Sequence, residues 1–117
     1  MTMLEKTRSR SKRQPDEFGK FQWQIRRCPC LICGAEAECA HLRYSDARHK
    51  KLNGRDHRWI LPLCPQHHRL GKDSQHGDLG EYEWWQAKNI DPIPIAKALW
   101  DARNDLEKML EIVARRY

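Results

Sequence analysis

The residues best suited to chemistry are the cysteines and histidines, and they are crowded into one part of the chain. All five cysteines fall between positions 28 and 64, and all six histidines fall between positions 41 and 76. Thiolate and imidazole are the usual ligands of zinc, and imidazole is also the usual general base near neutral pH. The crowding predicts a metal-binding domain over residues 21–91, with a flexible basic arm before it (1–20) and a C-terminal helix after it (92–117).

Two pairs of these residues have the spacing of a structural zinc site. Cys30 and Cys33 are separated by two residues and followed by Gly34, and Cys64 and His67 repeat that spacing. Two ligands three positions apart can bind one tetrahedral zinc from a tight turn. The pattern therefore predicts a Cys₃His zinc knuckle. Buried thiols in a small core are the alternative, but they do not account for the matched spacing.

Two further cysteines have other predicted roles. Cys28 competes with Cys30 for the first ligand position, and Cys30 is favoured because it has the two-residue separation from Cys33. Cys39 has no partner at ligand spacing, so we expect it to be a small buried hydrophobe in a strand. A reducing cytosol also favours thiols and metal ligands over disulfides.

The elements that must position these residues are short. Apolar clusters predict strands near 38–43 and 58–63. Proline after Cys64 predicts a helix there, which Gly71 ends or bends. A short helix is expected over 81–88, and a last helix from Asp91 and Pro92 to about residue 116. This last helix has one apolar face with residues spaced by four and three positions: Ile95, Leu99, Ala102, Leu106, Met109 and Val113.

Several segments between Cys30 and Trp100 resemble, in order and spacing, the HNH (ββα-metal, His-Me finger) endonuclease domains common in phages and prophages. These segments are CLICG, AHLRYS, RWILPLCPQHH, QHG, EYEWW and NIDPIPIAKALW. The resemblance implies an α+β fold in which two antiparallel strands and a helix surround a catalytic divalent metal, with the structural zinc bracing the base. It also implies an enzyme that hydrolyses phosphodiester bonds in DNA.

The resemblance implies roles for individual residues. His41 matches the general base that activates water, and His68 and His76 match ligands of a catalytic Mg²⁺ or Mn²⁺. A neutral imidazole can accept a proton from water near neutral pH, and a divalent cation stabilises the charge of the phosphate. Arg43 lies two residues after His41, on the same face of the predicted strand, and is expected to hold the scissile phosphate.

The chain departs from the family pattern in three places. Ala40 stands where many members have a metal ligand, Trp59 stands where the middle asparagine is expected, and His68 and His76 are eight residues apart where four is common. The departures leave open a second interpretation, in which the protein is a non-catalytic zinc-knuckle module that binds nucleic acid. The third ligand of the catalytic metal is also open, and the protein candidates are Asp46 and Asp73.

The charge of the chain favours a nucleic-acid partner. The 117 residues have a net charge of +6, and residues 41–58 include six Lys and Arg against two Asp. Clustered positive charge on a small chain is typical of phosphate binding. The residues expected to contact DNA are Arg43, Arg48, Lys50, Lys51 and Arg55. His49 and His57 are expected at the surface or against phosphates.

The sequence also indicates where in the cell the protein is located and how it could assemble. No apolar segment is long enough to cross a membrane, and the first twenty residues have no signal-peptide core. We therefore expect a cytoplasmic protein, in the host cytoplasm if a phage encodes it. The apolar face of the last helix can pair with a second copy, recruit another protein or pack on its own domain. The sequence leaves the homodimer and the internal packing equally open.

Overall fold

A two-stranded antiparallel sheet lies at the centre of the fold. The computed structural model describes residues 16–43 and 56–115, and within them the sheet consists of β1 (Glu38–His41) and β2 (Ile60–Leu63). The register pairs Glu38 with Leu63 and His41 with Ile60. All four residues of β2 are buried, which agrees with the apolar cluster that predicted this strand. Both predicted strands are confirmed, and each is shorter than expected by two residues.

Helices surround this sheet. They are α1 (Asp16–Arg26), a π-helical turn (Gln66–Leu70), α2 (Glu81–Ala87), α3 (Pro92–Asp101) and α4 (Leu106–Arg115). Phe21 and Ile25 on α1 are fully buried, and α1 contacts both strands. α3 contacts β2 and α4. The small α+β fold with a two-stranded sheet is thus confirmed, and its core lies between the sheet and the helices.

The N-terminal boundary of the fold differs from the prediction. Residues 16–20, assigned to the basic arm, are the first residues of α1. Phe18, Phe21 and Ile25 have the three- and four-residue spacing of an amphipathic helix, so the signal for α1 was present in the sequence. The charged residues of α1, such as Lys20 and Arg26, obscure this periodicity, and they lie on the exposed side.

The prediction of one long C-terminal helix is wrong, because the chain turns between α3 and α4. Asp91 caps α3, accepting a hydrogen bond from the backbone N–H of Ile93 at 3.2 Å. Asp105 does the same for α4, accepting from the N–H of Lys108 at 3.1 Å. Asp is a favoured N-cap residue, and its carboxylate satisfies N–H groups that a new helix leaves unpaired. Asp105 was therefore the overlooked sign of a second helix start.

The apolar face offered for self-association lies inside the chain. Buried core residues on α3, on α4 and at the turn between them include five of the six predicted positions: Ile95, Leu99, Ala102, Met109 and Val113. Leu106 packs against this core and is partly buried. Pairing of this face with a second copy would have to displace these side chains from the core.

The segment after β2 is a π-helical turn of five residues. Gly71 ends it as predicted, donating its N–H to the carbonyl of Gln66 at 2.9 Å. A Cβ at Gly71 would lie 2.9 Å from that carbonyl oxygen, so a side chain is excluded by close approach. In the part of the chain described, no helix is long and apolar enough to cross a membrane.

Candidate metal centre and histidine cluster

The four residues of the predicted zinc knuckle come together as a ligand set. The ligand atoms of Cys30, Cys33, Cys64 and His67 all lie within 4.8 Å of one another. The Sγ atoms of Cys33 and Cys64 are 3.7 Å apart, and His67 Nδ1 is 3.3 Å from Cys64 Sγ and 3.9 Å from Cys30 Sγ. Tetrahedral zinc with Zn–S bonds of about 2.3 Å separates two sulfurs by about 3.8 Å. The residues therefore fit a tetrahedral metal ion, and the predicted metal-binding group is confirmed.

Local hydrogen bonds shape the turn of Cys30 and Cys33. The N–H of Gly34 donates to the carbonyl of Cys30 at 2.9 Å, and the N–H of Cys30 donates to the carbonyl of Ala35 at 2.8 Å. Gly34 has φ +80°, a left-handed conformation that glycine adopts without strain. The N–H of Leu31 donates to the carbonyl of Pro62 at 3.0 Å, which joins the turn to β2. Strand β2 therefore positions both halves of the predicted knuckle, because Leu31 is hydrogen-bonded to it and Cys64 directly follows it.

The pKa of the Cys30 thiol is shifted in the opposite direction from those of Cys28 and Cys39. Burial raises the pKa of the Cys28 thiol to about 11, and burial likewise raises that of Cys39 to about 11. Burial also opposes the Cys30 thiolate, but backbone N–H groups, first that of Cys64, outweigh it and lower the pKa of Cys30. Metal binding requires thiolate. The choice of Cys30 over Cys28 is therefore supported by its chemistry as well as its spacing.

His41 ends β1 and lies against an imidazole that the sequence did not predict there. Its Nε2 is 2.8 Å from Nδ1 of His57, and the two rings meet edge to face with centroids 5.0 Å apart. His57, which was expected at the surface or against phosphates, is partly buried and contacts His41. Burial, and then the charges of His57 and His68, lower the pKa of His41. His41 therefore stays neutral at physiological pH.

His68 is held by a carboxylate from β1. Its Nδ1 is 2.5 Å from Oε2 of Glu38, which also accepts a hydrogen bond from Nε of Arg69 at 2.8 Å. Hydrogen bonding to Arg69, and then to His68, lowers the pKa of Glu38. The carboxylate accepts a hydrogen bond from Nδ1 of His68, and in a neutral imidazole held in this way the lone pair is on Nε2. Glu38 was not predicted as a site residue.

The loop after the π-helical turn returns His76 to His68. The N–H of Gln75 donates to the carbonyl of His67 at 2.8 Å, and the N–H of His76 donates to the carbonyl of His68 at 3.1 Å. The ring centroids of His68 and His76 are 5.1 Å apart. Burial, and then the charges of His68 and Arg43, lower the pKa of His76. An eight-residue separation in sequence therefore still places the two imidazoles side by side.

Gln75 links this loop to β1 from inside the core. Its side chain is fully buried. Its Nε2 donates to the backbone carbonyl of His41 at 3.0 Å, and its Oε1 accepts from Nε1 of Trp85 at 3.1 Å. The sequence did not single out Gln75, because a buried glutamine leaves no periodic or spacing signal. Its role is to hold His41 and the loop of His76 in fixed relation.

The remaining predicted residues have varied outcomes. Arg43 is exposed, and its backbone N–H donates to Oε2 of Glu81 at 2.8 Å. Asp73 accepts hydrogen bonds from Nε1 of Trp84 and Nζ of Lys88, both at 2.8 Å, so each of its oxygens already has a partner. Six residues with a predicted role lie outside the described part of the chain: Asp46, Arg48, His49, Lys50, Lys51 and Arg55.

We use the name histidine cluster for His41, His57, His68 and His76. Among residues 16–43 and 56–115, the zinc knuckle is the one group of three or more Cys, His, Asp and Glu side chains arranged to hold a metal. The histidine cluster supplies the pair His68 and His76 without a third protein ligand from those residues. In comparisons with known proteins, no family model, curated protein or solved structure matches this chain.

Proposed function

We propose that the protein is a metal-dependent endonuclease of the HNH type that hydrolyses phosphodiester bonds in DNA. The observation that carries the proposal is the convergence of His41, His68 and His76 from three separate segments beside the zinc knuckle. Two of the three have a lowered pKa, which suits them to act as neutral imidazoles. Titratable groups with perturbed pKa values gather at functional sites more often than elsewhere.

His41 acts as the general base in this proposal. The oxygen of a water molecule forms a bond to phosphorus while the bond from phosphorus to the 3′ oxygen breaks. His41 takes the proton of the attacking water, and the 3′ oxygen gains a proton from solvent. The lowered pKa keeps His41 neutral and able to accept that proton at pH 7.

His68 and His76 would hold the divalent cation, Mg²⁺ or Mn²⁺. Such a cation stabilises the negative charge on the phosphate and on the departing oxygen. The ionised carboxylate of Glu38 holds Nδ1 of His68 and thereby directs the lone pair to Nε2. A carboxylate in this position is the usual partner of a metal-binding histidine, since it fixes the ring and raises its basicity.

In this proposal, DNA is bound through the net positive charge of the chain and through Arg43. Arg43 is exposed, and after the larger effects of burial and of His68 its charge also lowers the pKa of His76. A guanidinium there can bind a phosphate beside the cation site. The net charge of +6 adds non-specific attraction, which should weaken steeply as salt rises.

A second candidate function is a non-catalytic module that binds nucleic acid through the same basic surface. The observation in its favour is that, among the described residues, His68 and His76 have no third protein ligand arranged with them to hold a metal. The zinc knuckle alone would then account for the fold, and His41 would serve packing.

Plasmid cleavage by the zinc-loaded full chain separates the two candidates. We expect nicking that depends on added Mg²⁺ or Mn²⁺ and that falls by about 10²–10⁴-fold in His41→Ala, as for loss of a general base. Zinc content and DNA affinity should stay unchanged. Gln86→Ala, at an exposed position of α2, is the matched control and should cleave at the parental rate.

Two results would contradict the proposal in different ways. A parental chain that binds DNA but never cleaves it, at any concentration of either metal, would establish the binding module. A His41→Ala protein that retains zinc and cleaves at the parental rate would show that another group is the base. His68→Ala should instead shift the response to higher metal concentrations, because it removes a ligand.

A further inference from the structure

The surroundings of His41 determine where its proton sits. A neutral imidazole acts as a base only through the nitrogen that has a free lone pair, and its other nitrogen holds the hydrogen. The hydrogen bond made by the second nitrogen decides between the two tautomers. For His41 that contact is the one between its Nε2 and Nδ1 of His57, at 2.8 Å.

The direction of this hydrogen bond follows from a third residue. Nδ1 of His57 is also 2.9 Å from Nε2 of Gln22. An amide nitrogen can donate but cannot accept, so Nδ1 of His57 must accept and its own hydrogen is on Nε2. Because Nδ1 of His57 holds no hydrogen, Nε2 of His41 has to be the donor of the bond between them.

We infer that Gln22 and His57 are positioning residues that fix His41 as the Nε2–H tautomer, with the lone pair on Nδ1. The nitrogen that takes the proton of water is then Nδ1, because Nε2 is committed to the hydrogen bond with His57. This inference rests on the proposed function in one respect, namely that His41 is the general base. The tautomer itself is a property of the folded chain whether or not it cleaves DNA.

Packing holds Gln22 in place. Gln22 lies next in sequence to Phe21, which is fully buried, and it therefore projects from the edge of the face that α1 packs on the sheet. The Sγ of Cys39 donates to the backbone carbonyl of Gln22 at 3.4 Å, which ties this turn of α1 to β1. His41 is two residues after Cys39 and so faces the same side of the sheet.

His57 is fixed by its neighbours as well. The edge of Phe18 meets its ring with centroids 5.5 Å apart. The turn that presents it is closed by Asp56, whose carboxylate accepts from the backbone N–H of Arg58 at 3.1 Å and from Nε of Arg58 at 2.8 Å. The ring of His57 therefore has little freedom to leave His41, and the Gln22–His57–His41 chain is preorganised.

Long-range ¹H–¹⁵N correlation spectra test the inference without any measurement of activity. The full chain is labelled with ¹⁵N-histidine, loaded with zinc and measured near pH 8, which is above the ordinary imidazole pKa of about 6.5. We expect His41 to show a protonated Nε2 and an unprotonated Nδ1. His57→Leu should convert this pattern to a mixture of tautomers, whereas His57→Asn should preserve it, because the asparagine oxygen can accept in place of Nδ1.

Gln22→Glu is the sharpest variant. A carboxylate accepts where the amide donated, so the hydrogen of His57 should move to Nδ1 and that of His41 to Nδ1 as well. The spectrum would then reverse for His41 while zinc content confirms a folded protein. A parental His41 with its hydrogen on Nδ1, or a tautomer that survives both His57→Leu and Gln22→Glu, would overturn the inference.

Cleavage rates then connect the tautomer to function. We expect His57→Leu and Gln22→Glu to lower kcat at least about tenfold, within the 10²–10⁴-fold that a general base is worth. His57→Asn should restore the rate, which a merely structural role for His57 would not predict. If the parental chain shows the expected tautomer but does not cleave DNA, the proposed function fails and the positioning of His41 stands.

Discussion

The zinc knuckle and the histidine cluster use the same residue types in two different ways. The knuckle takes four ligands from two short turns, and each pair is separated by two residues. The histidine cluster takes single residues from β1, the turn before β2, the π-helical turn and the loop after it. The knuckle is thus local and closed, while the cluster depends on the whole fold. A closed site with four protein ligands suits structure, and a site with fewer ligands leaves positions for substrate and water.

The comparison is tested most strongly by removing one knuckle ligand. Structural zinc in small domains contributes about 10–16 kcal/mol of apparent free energy, which exceeds the whole stability of many domains. We expect Cys64→Ser to abolish cooperative thermal unfolding and to release the zinc. Cys28→Ala is the matched control, since its buried thiol is not a ligand and its loss should cost about 1 kcal/mol. Circular dichroism and metal analysis measure both.

The opposite ranking, in which Cys28→Ala unfolds and Cys64→Ser stays folded, would mean that Cys28 is a metal ligand and that the expected set of four ligands is wrong. An unfolded Cys28→Ala together with an unfolded Cys30→Ala would mean that both thiols take part. A Cys64→Ser protein that melts at the parental temperature with full zinc would show that the knuckle does not hold the fold together.

The histidine cluster should respond most to the loss of its buried link, Gln75. Gln75→Leu leaves the N–H of Trp85 and one hydrogen bond of the His41 carbonyl without a partner, and each unsatisfied group costs about 1–3 kcal/mol. We expect a loss of about 2–4 kcal/mol in the free energy of unfolding, with zinc retained. Gln86→Leu, an exposed position of α2, is the control and should change stability little. A Gln75→Leu protein of parental stability would mean that the link does not matter.

The difference between the two sites explains what the sequence could predict. Ligand pairs such as Cys30 and Cys33 are set by spacing alone, since a tight turn brings them together in any fold. His68 and His76 were matched through family resemblance, and the structure adds the reason that their eight-residue spacing works. Glu38, His57 and Gln75 were missed because each acts through a partner at least ten residues away. Only the strand register and the packing of α1 bring such partners together.

The fold shows the same division. Both strands and the caps around Asp91 and Pro92 were readable, because apolar clusters and cap residues are local signals. The break between α3 and α4 was not, because Leu106, Met109 and Val113 continue the spacing of α3 across it. Two helices that pack on one core preserve the periodicity of a single helix, so the cap at Asp105 was the one sequence feature that distinguished them.

The carboxylate behind His68 gives the next prediction. Glu38→Ala removes the hydrogen bond that fixes Nδ1 of His68, and loss of such a partner typically costs 10–100-fold in metal affinity or activity. We expect half-maximal cleavage to need about 10–100-fold more Mg²⁺ or Mn²⁺, with the zinc content unchanged. Glu36→Ala is the matched control, at an exposed position two residues away. An unchanged metal requirement in Glu38→Ala would remove His68 from the cation site.

The smallest expected effect is on the pH dependence of stability. The pKa of His41 in the folded chain is lower than its ordinary value of 6.5, first because of burial and then because of His57 and His68. The folded state therefore binds its proton less readily than the unfolded state. The stability that depends on neutral His41 is fully present above about pH 6.5 and is lost as the pH falls toward the folded-state pKa.

His41→Gln should therefore flatten the loss of stability between pH 7 and pH 5. His76 has the same direction of shift and remains in the variant, and metal binding itself depends on pH. The informative quantity is for this reason the difference between parental and variant melting temperatures, measured at each pH in excess zinc. We expect the difference to shrink as the pH falls, because each unit of pKa shift is worth about 1.4 kcal/mol. A difference that is constant across this range would place His41 in a solvated position and remove the physical basis for its neutrality.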